Sequence, residues 1–312
     1  MIGGATQASV SVGPRWRARV IRTAINSMFF IIGLLVVIGS ILGGYMPHGN
    51  IGVLFQPFEW LIILGAGTGA FIIANPKPIL AGVAKHLARV LKGPPYNKDS
   101  YLELLTLLYS IFRLIKSKGM LAIEPHIENP QESSLFSNFP NFLKNHHAVE
   151  FVCDYLRIMT MGSEDPHVIE DLMDQEIETH HNEAHAIAGA VTNMGDALPA
   201  FGIVAAVLGV IVTMASISEP PEVLGELIGA ALVGTFFGIL MSYGLVSPIG
   251  SNLANYAAAD GKYYECIKAG MLAHLQGSAP IVSVEFARKT LSSHERPSFF
   301  ELEEATDNAP TV

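Results

Sequence analysis

Four mainly apolar runs without a charge organise the chain, over 25–45, 60–74, 197–217 and 227–246. A helix needs about 20 such residues to cross a bilayer, so each run predicts a transmembrane helix, the second being the shortest. They fall in two pairs, joined by connections over 46–59 and 218–226. A basic arm (1–24) precedes the first pair, a polar block (75–196) separates the pairs, and a polar tail (247–312) follows the second. Within the block, 101–115 (YLELLTLLYSIFRLI), 149–161 and 167–185 carry apolar residues at helical spacing. Breaks are expected at Pro125, Pro130, Pro140 and Pro166. The acidic stretch 164–183 leads straight into the third run, and 251–283 continues the fourth, which predicts two helical stalks. The fold class expected is an all-α integral membrane protein: two transmembrane hairpins, a large helical domain and stalks.

Composition supports that pattern. Charged residues make up 15% of the chain, hydrophobic residues 50%, and mean hydropathy is +0.38, whereas a soluble domain carries about 25% charge. The net charge of -9 speaks against nucleic acid as a partner. All 19 Lys and Arg residues lie in the arm, the block or the tail. Neither short connection holds one, so the positive-inside rule puts both termini and the block in the cytoplasm. Arg15, Arg17, Arg19 and Arg22 precede the first run. That run exceeds the core of a signal peptide, about 7–15 residues, and ends in Gly-Gly-Tyr rather than a small-x-small site. The arm before Met28 is expected to be unstructured. Cys153 and Cys266 form no metal motif and read as reduced thiols.

Enzyme signatures are lacking: there is no Walker A loop, nucleophile elbow, kinase signature or dinucleotide fingerprint. No cofactor or metal is expected. His181 and His185, at i and i+4 beside His180 and Glu183, could ligate one ion. Their order, His-Asn-Glu-Ala-His, misplaces the base of a zinc protease, and a solvated histidine face is the plainer reading. Small residues form two stripes: Gly202, Ala205, Ala206 and Gly209 in the third run, and Ala231, Gly234, Thr235, Gly238 and Ser242 in the fourth. Such stripes let helices approach closely in lipid, either within the chain or with neighbours. Thr235 could bond the carbonyl one turn back or serve an ion path. Pro199 follows Asp196, a possible cap, in what reads as the first turn of a helix. With Pro248 it could also mark a stiff corner at the membrane edge. Glu59 lies beside Gln56, Pro57 and Trp60, which read as a membrane interface. No run contains a central acid, so a relay carboxylate would have to come from a partner chain.

The segments Leu198-Pro-Ala-Phe-Gly-Ile-Val-Ala-Ala206, Val233-Gly-Thr-Phe-Phe-Gly-Ile-Leu240, Tyr243 to Pro248 and Val284-Glu-Phe-Ala-Arg-Lys-Thr-Leu291 resemble the MotA-type flagellar stator subunits of the MotA/TolQ/ExbB proton-channel family. Glu295-Arg-Pro-Ser-Phe299 and Ile127-Glu-Asn-Pro130 add to the likeness, which runs from about Met28 to Glu304. The resemblance implies a multi-pass subunit of the bacterial inner membrane. Five copies would surround two copies of a partner, MotB, whose single transmembrane helix carries the proton-accepting aspartate. Gly202, Gly209 and Gly238 would help line the space around the partner helices. Lys116 and Glu124 match the charges that contact the rotor protein FliG; Lys116 stands where the best-known member has arginine and loses the forked geometry. Glu176 matches a further acidic position, Pro199 and Pro248 the prolines tied to conformational coupling, and Thr235 the threonine near the ion path. Sodium-driven relatives of the PomA type place a threonine where this chain has Ala206, which favours protons. The other readings are an ExbB/TolQ-like envelope energiser, set apart by its usual three spans, and a metalloenzyme built on His181 and His185.

Overall fold

The computed structural model describes residues 15–90, 93–162 and 165–310, and every regular element among them is helical. Four helices are long and apolar enough to cross a membrane. The molecule is an all-α integral membrane protein with two compact units. Of the described residues, one unit gathers those up to Gly93 with Ala190–Ser251, the other those of Pro94–Gly189 with those from Asn252 onward.

The first unit opens with α1 (Arg15–Tyr45), α2 (Ile51–Leu54), α3 (Pro57–Ala74) and α4 (Lys77–Val90). Residues 1–14 of the expected arm lie outside the described residues. The unstructured arm is corrected over 15–24, which are helical; Arg and Ala recur there without Gly or Pro, a composition that favours helix. The connection 46–59 is also partly regular. Asn50 accepts the Gly52 amide (2.9 Å) to start α2, and Pro57, at the first position of α3, needs no partner for an N–H it lacks. Asn75 closes α3 by donating to the Phe71 carbonyl (2.8 Å). Helix α4, read from sequence as the start of the soluble block, belongs with the spans.

The second unit begins with α5 (Lys98–Lys118). Asn97 accepts the Ser100 amide (2.9 Å) at its start. Gly119, at φ +86°, stops the helix, a conformation that side chains with a Cβ resist. Tyr101, Leu104, Leu108, Ile111 and Phe112 recur at helical spacing and are fully or almost fully buried. After a 3₁₀ turn (Met120–Ile123), α6 (Glu124–Glu128), α7 (Pro140–Leu143) and α8 (His146–Thr160) complete this part. Glu103 of α5 accepts the amides of Asn141 (2.7 Å) and Phe142 (3.2 Å) at the start of α7, where orphan N–H groups favour a carboxylate.

Next comes α9 (Pro166–Ala215), 50 residues long. At 1.5 Å per residue it spans about 75 Å, against a hydrocarbon core of about 30 Å. The third span and the acidic stretch before it are therefore one helix, as the stalk reading expects. One detail is corrected. Pro199 is not in a first turn and Asp196 caps nothing, because the helix starts 33 residues earlier; Pro199 is interior. Then follow α10 (Pro221–Met241), a π-helical turn (Ser242–Val246) and α11 (Ser247–Leu275), without a break in the helical path. The connection 218–226 is shorter than expected, since α10 begins at Pro221, a proline at the helix start.

Two short helices, α12 (Pro280–Lys289) and α13 (Phe299–Asp307), pack against α5. Ser298 and Glu301 form a capping box at α13, and Lys98 pairs with Glu301 (2.7 Å). Tyr263, Cys266 and Ile267 of α11 enter the same core. Cys153 and Cys266 are buried and unbridged, and burial pushes both thiols up to about 12. Buried Arg288 donates to both oxygens of Glu285 (2.7 and 2.5 Å) and to the Pro297 carbonyl (2.8 Å). These bonds hold the Glu285 carboxyl below its ordinary 4.5. Their contribution is therefore complete at neutral pH and is lost as pH falls below 4.5 through the lowered value. Arg288→Ala is expected to cost about 2 kcal/mol, since it strands Glu285 and a carbonyl. Thermal denaturation of the purified protein at neutral pH measures it, and an unchanged midpoint would refute it.

Candidate functional site

In the first unit α9 and α10 pack backbone close to backbone. A Cβ on Gly238 would lie 2.7 Å from the Leu198 carbonyl and 3.0 Å from the Gly202 Cα. One on Gly202 would lie 3.0 Å from the Gly234 carbonyl, and one on Gly209 2.7 Å from the Ala231 Cβ. The sequence left two uses open for these glycines, and the structure supplies one of them inside the subunit: Gly202 and Gly238 are buried against the facing backbone, and Gly209 meets Ala231. Ala206 and Thr235 are half-buried instead.

Thr235 differs from the other threonine in these spans. Thr213 donates to the Gly209 carbonyl (2.9 Å), the usual fate of a hydroxyl in a membrane helix. Thr235 makes no such bond, which leaves its hydroxyl free to serve another group. Glu59, in the first turn of α3, was expected at the interface. Its Oε2 is turned inward, has no hydrogen-bond partner among the described residues, and lies where a Cβ on Gly234 would come within 2.9 Å. Trp60 likewise packs inward, stacking on Phe237 at 5.2 Å.

Both prolines sit where the helical pattern is disturbed. Pro199 has no N–H for the carbonyl of Gly195, four residues earlier. Gly195 abuts Ser247, whose Oγ would be 2.5 Å from a Cβ there, and Gly250 abuts Thr192 in the same manner (2.4 Å). Pro248 follows the π turn, in which the Ser247 amide reaches back to the Ser242 carbonyl, five residues away. The hydroxyls of Ser242 and Ser247 are buried without hydrogen-bond partners among the described residues. Local widening, a missing bond and unpaired hydroxyls coincide at one level of α9–α11. Sequence reading marked the prolines but had no signal for the π turn.

In the second unit, Lys116 lies in the last turn of α5 and Glu124 starts α6, on either side of Gly119. Both are exposed, and neither forms an ion pair among the described residues. Other charges of this unit are paired: Arg157 with Glu128 (2.9 Å) and Asp154 (2.7 Å), and Lys268 with Asp174 (2.6 Å). Glu176 belongs with these, since it accepts the Tyr155 hydroxyl (2.9 Å) and lies 3.9 Å from His180. Burial and the Glu176 bond both push the Tyr155 hydroxyl upward. Rings of His181 and His185 are 4.2 Å apart, and no three His, Cys, Asp or Glu side chains converge as metal ligands among the described residues.

Comparison with known proteins gives a consistent picture. Residues 31–119 match the family "Motility protein A N-terminal", and residues 143–264 match the "MotA/TolQ/ExbB proton channel family". The chain is 46% identical to motility protein A of Salmonella typhimurium and 45% identical to that of Escherichia coli, each over 89% of this chain and 94% of the relative. Chemotaxis protein LafT of Vibrio parahaemolyticus is 34% identical over 87% of this chain and 96% of its own. Among solved structures, C. jejuni MotAB shares the fold with a TM-score of 0.73, at 21% identity, over 88% of this chain and 99% of that one. The flagellar MotAB stator complex from Bacillus subtilis aligns with a TM-score of 0.64 at 26% identity, over 88% and 98%.

Proposed function

The chain belongs to the motility protein A family, and on that premise we propose that it is the larger subunit of a proton-driven flagellar stator. The observation that carries the reading is a pairing of absence and provision. No span holds a central carboxylate, while Thr235 offers a hydroxyl that its own backbone does not occupy. A MotB-type partner supplies the ion-binding aspartate. Five copies of this chain surround two of the partner in the inner membrane, with both termini in the cytoplasm on the evidence of the lysines and arginines.

In this reading the partner aspartate is charged in a low-dielectric site until a proton neutralises it. Neutralisation changes which arrangement of the surrounding helices is most stable, and Thr235 and Ala206 border its path. At about 150 mV one proton delivers roughly 3.5 kcal/mol, several times thermal energy. Pro199 and Pro248, beside the π turn, are where the change passes into the stalks. Lys116 and Glu124 then engage complementary charges on the rotor protein FliG. Glu176, bonded to Tyr155, supports the domain from within. The work is conduction and mechanics, with no catalysis.

Ala206 brings no oxygen ligand, and sodium needs several, which supports protons as the driving ion. Expressed with its partner in a stator-less strain, the chain is expected to restore swimming. Speed should be independent of external sodium at fixed proton-motive force. Failure to swim would sink the stator reading, and a saturable sodium requirement would sink the proton assignment alone.

A further inference from the structure

Helix α4 (KPILAGVAKHLARV) segregates its basic residues from its apolar ones. It contains three basic residues and no acid, in a protein whose net charge is -9. With about 100° per residue, Lys77, Lys85 and Arg89 fall within an arc of about 120°. Ile79, Leu80, Val83, Leu87 and Val90 occupy an arc of about 100° centred almost opposite. Its place in the chain is equally specific. Only Asn75 and Pro76 separate it from α3, the second span, and the amides of Ile79 and Leu80 reach back to the Pro76 carbonyl (3.0 and 3.2 Å). Such a short tether holds α4 at the depth where the second span leaves the hydrocarbon. Lys77 and Lys85 are exposed and form no ion pair among the described residues, and Leu87 on the apolar arc remains 45% exposed.

We infer that α4 lies in the headgroup layer and binds anionic phospholipid, with Leu87 towards the acyl chains and Lys77 and Lys85 on the phosphates. Segregated basic and apolar arcs are what an interfacial helix requires, since burial of apolar surface and attraction to anionic headgroups then act together. Each lysine near a negatively charged surface adds to the attraction, which weakens as salt screens it. The inference concerns the lipid around the subunit and stands whether or not protons drive the complex.

The test uses the full-length chain in nanodiscs of phosphatidylcholine alone or mixed with phosphatidylglycerol. Wild-type protein is expected to melt roughly 4 °C higher in the anionic discs. That gap should close in Lys77→Gln/Lys85→Gln, persist in Lys77→Arg/Lys85→Arg, and shrink as salt is raised. No gap in the wild type, or an equal gap in the glutamine variant, would overturn the assignment. Should the glutamine variant fail to fold, the wild-type salt titration decides, because a gap that survives molar salt is not electrostatic.

Discussion

Gly238→Val is expected to abolish stator assembly and swimming. A side chain at Gly238 meets backbone atoms rather than a movable rotamer: the Leu198 carbonyl at 2.7 Å, the Gly202 Cα at 3.0 Å and the Gly202 nitrogen at 3.2 Å. Relief requires α9 and α10 to move apart, which forfeits dispersion contacts along their whole contact. Overpacking of a core ordinarily costs about 1–3 kcal/mol, and this site has no flexible neighbour to absorb it. In lipid the loss is sharper in kind, because close packing is itself what holds the helices together. The measurement is the amount of chain that reaches the membrane and co-purifies with its partner. Wild-type assembly in Gly238→Val would show that the two helices do not meet as described.

Reversing Lys116 or Glu124 should produce the opposite phenotype, full assembly without useful torque. Both side chains are exposed and form no ion pair among the described residues, so Lys116→Glu and Glu124→Lys are each expected to alter stability by no more than about 0.5 kcal/mol. Against complementary charges on a rotor, reversal turns attraction into repulsion. Torque on a tethered motor should fall at least roughly tenfold, and a matching reversal on the rotor should restore part of it. Loss of membrane insertion, or full torque in both variants, would remove these residues from the rotor contact. Glu176 provides the contrast: Glu176→Gln deletes the charge that Tyr155 bonds and so perturbs the fold around it.

Much of this architecture was legible in the sequence because bilayer crossing leaves a strong signal. Runs of uncharged residues predict spans, and an acidic run leading into one predicts a stalk. Pro199 was misread because proline in a soluble helix marks a start, whereas in lipid neighbouring groups can donate to the carbonyl it frees. The fate of Gly202, Gly209 and Gly238 was ambiguous for a different reason. A small-residue stripe records that something comes close without recording what does. Whether Thr235 bonds its own backbone is a matter of side-chain rotation, invisible in a one-dimensional pattern. Helix α4 was absorbed into the soluble block because its length is modest and its apolar positions are interleaved with charge.

The π turn over Ser242–Val246 has an implication for how chain length can vary. Deleting a residue elsewhere in α10 or α11 would rotate everything beyond it by about 100°, detaching one packed face from its neighbours. The π turn already carries one residue more than an α-helical turn. Losing a residue there would restore ordinary pitch while the faces above and below stay in phase. Of the whole path from Pro221 to Leu275, this is the place where the fourth span and its stalk tolerate the loss of one residue.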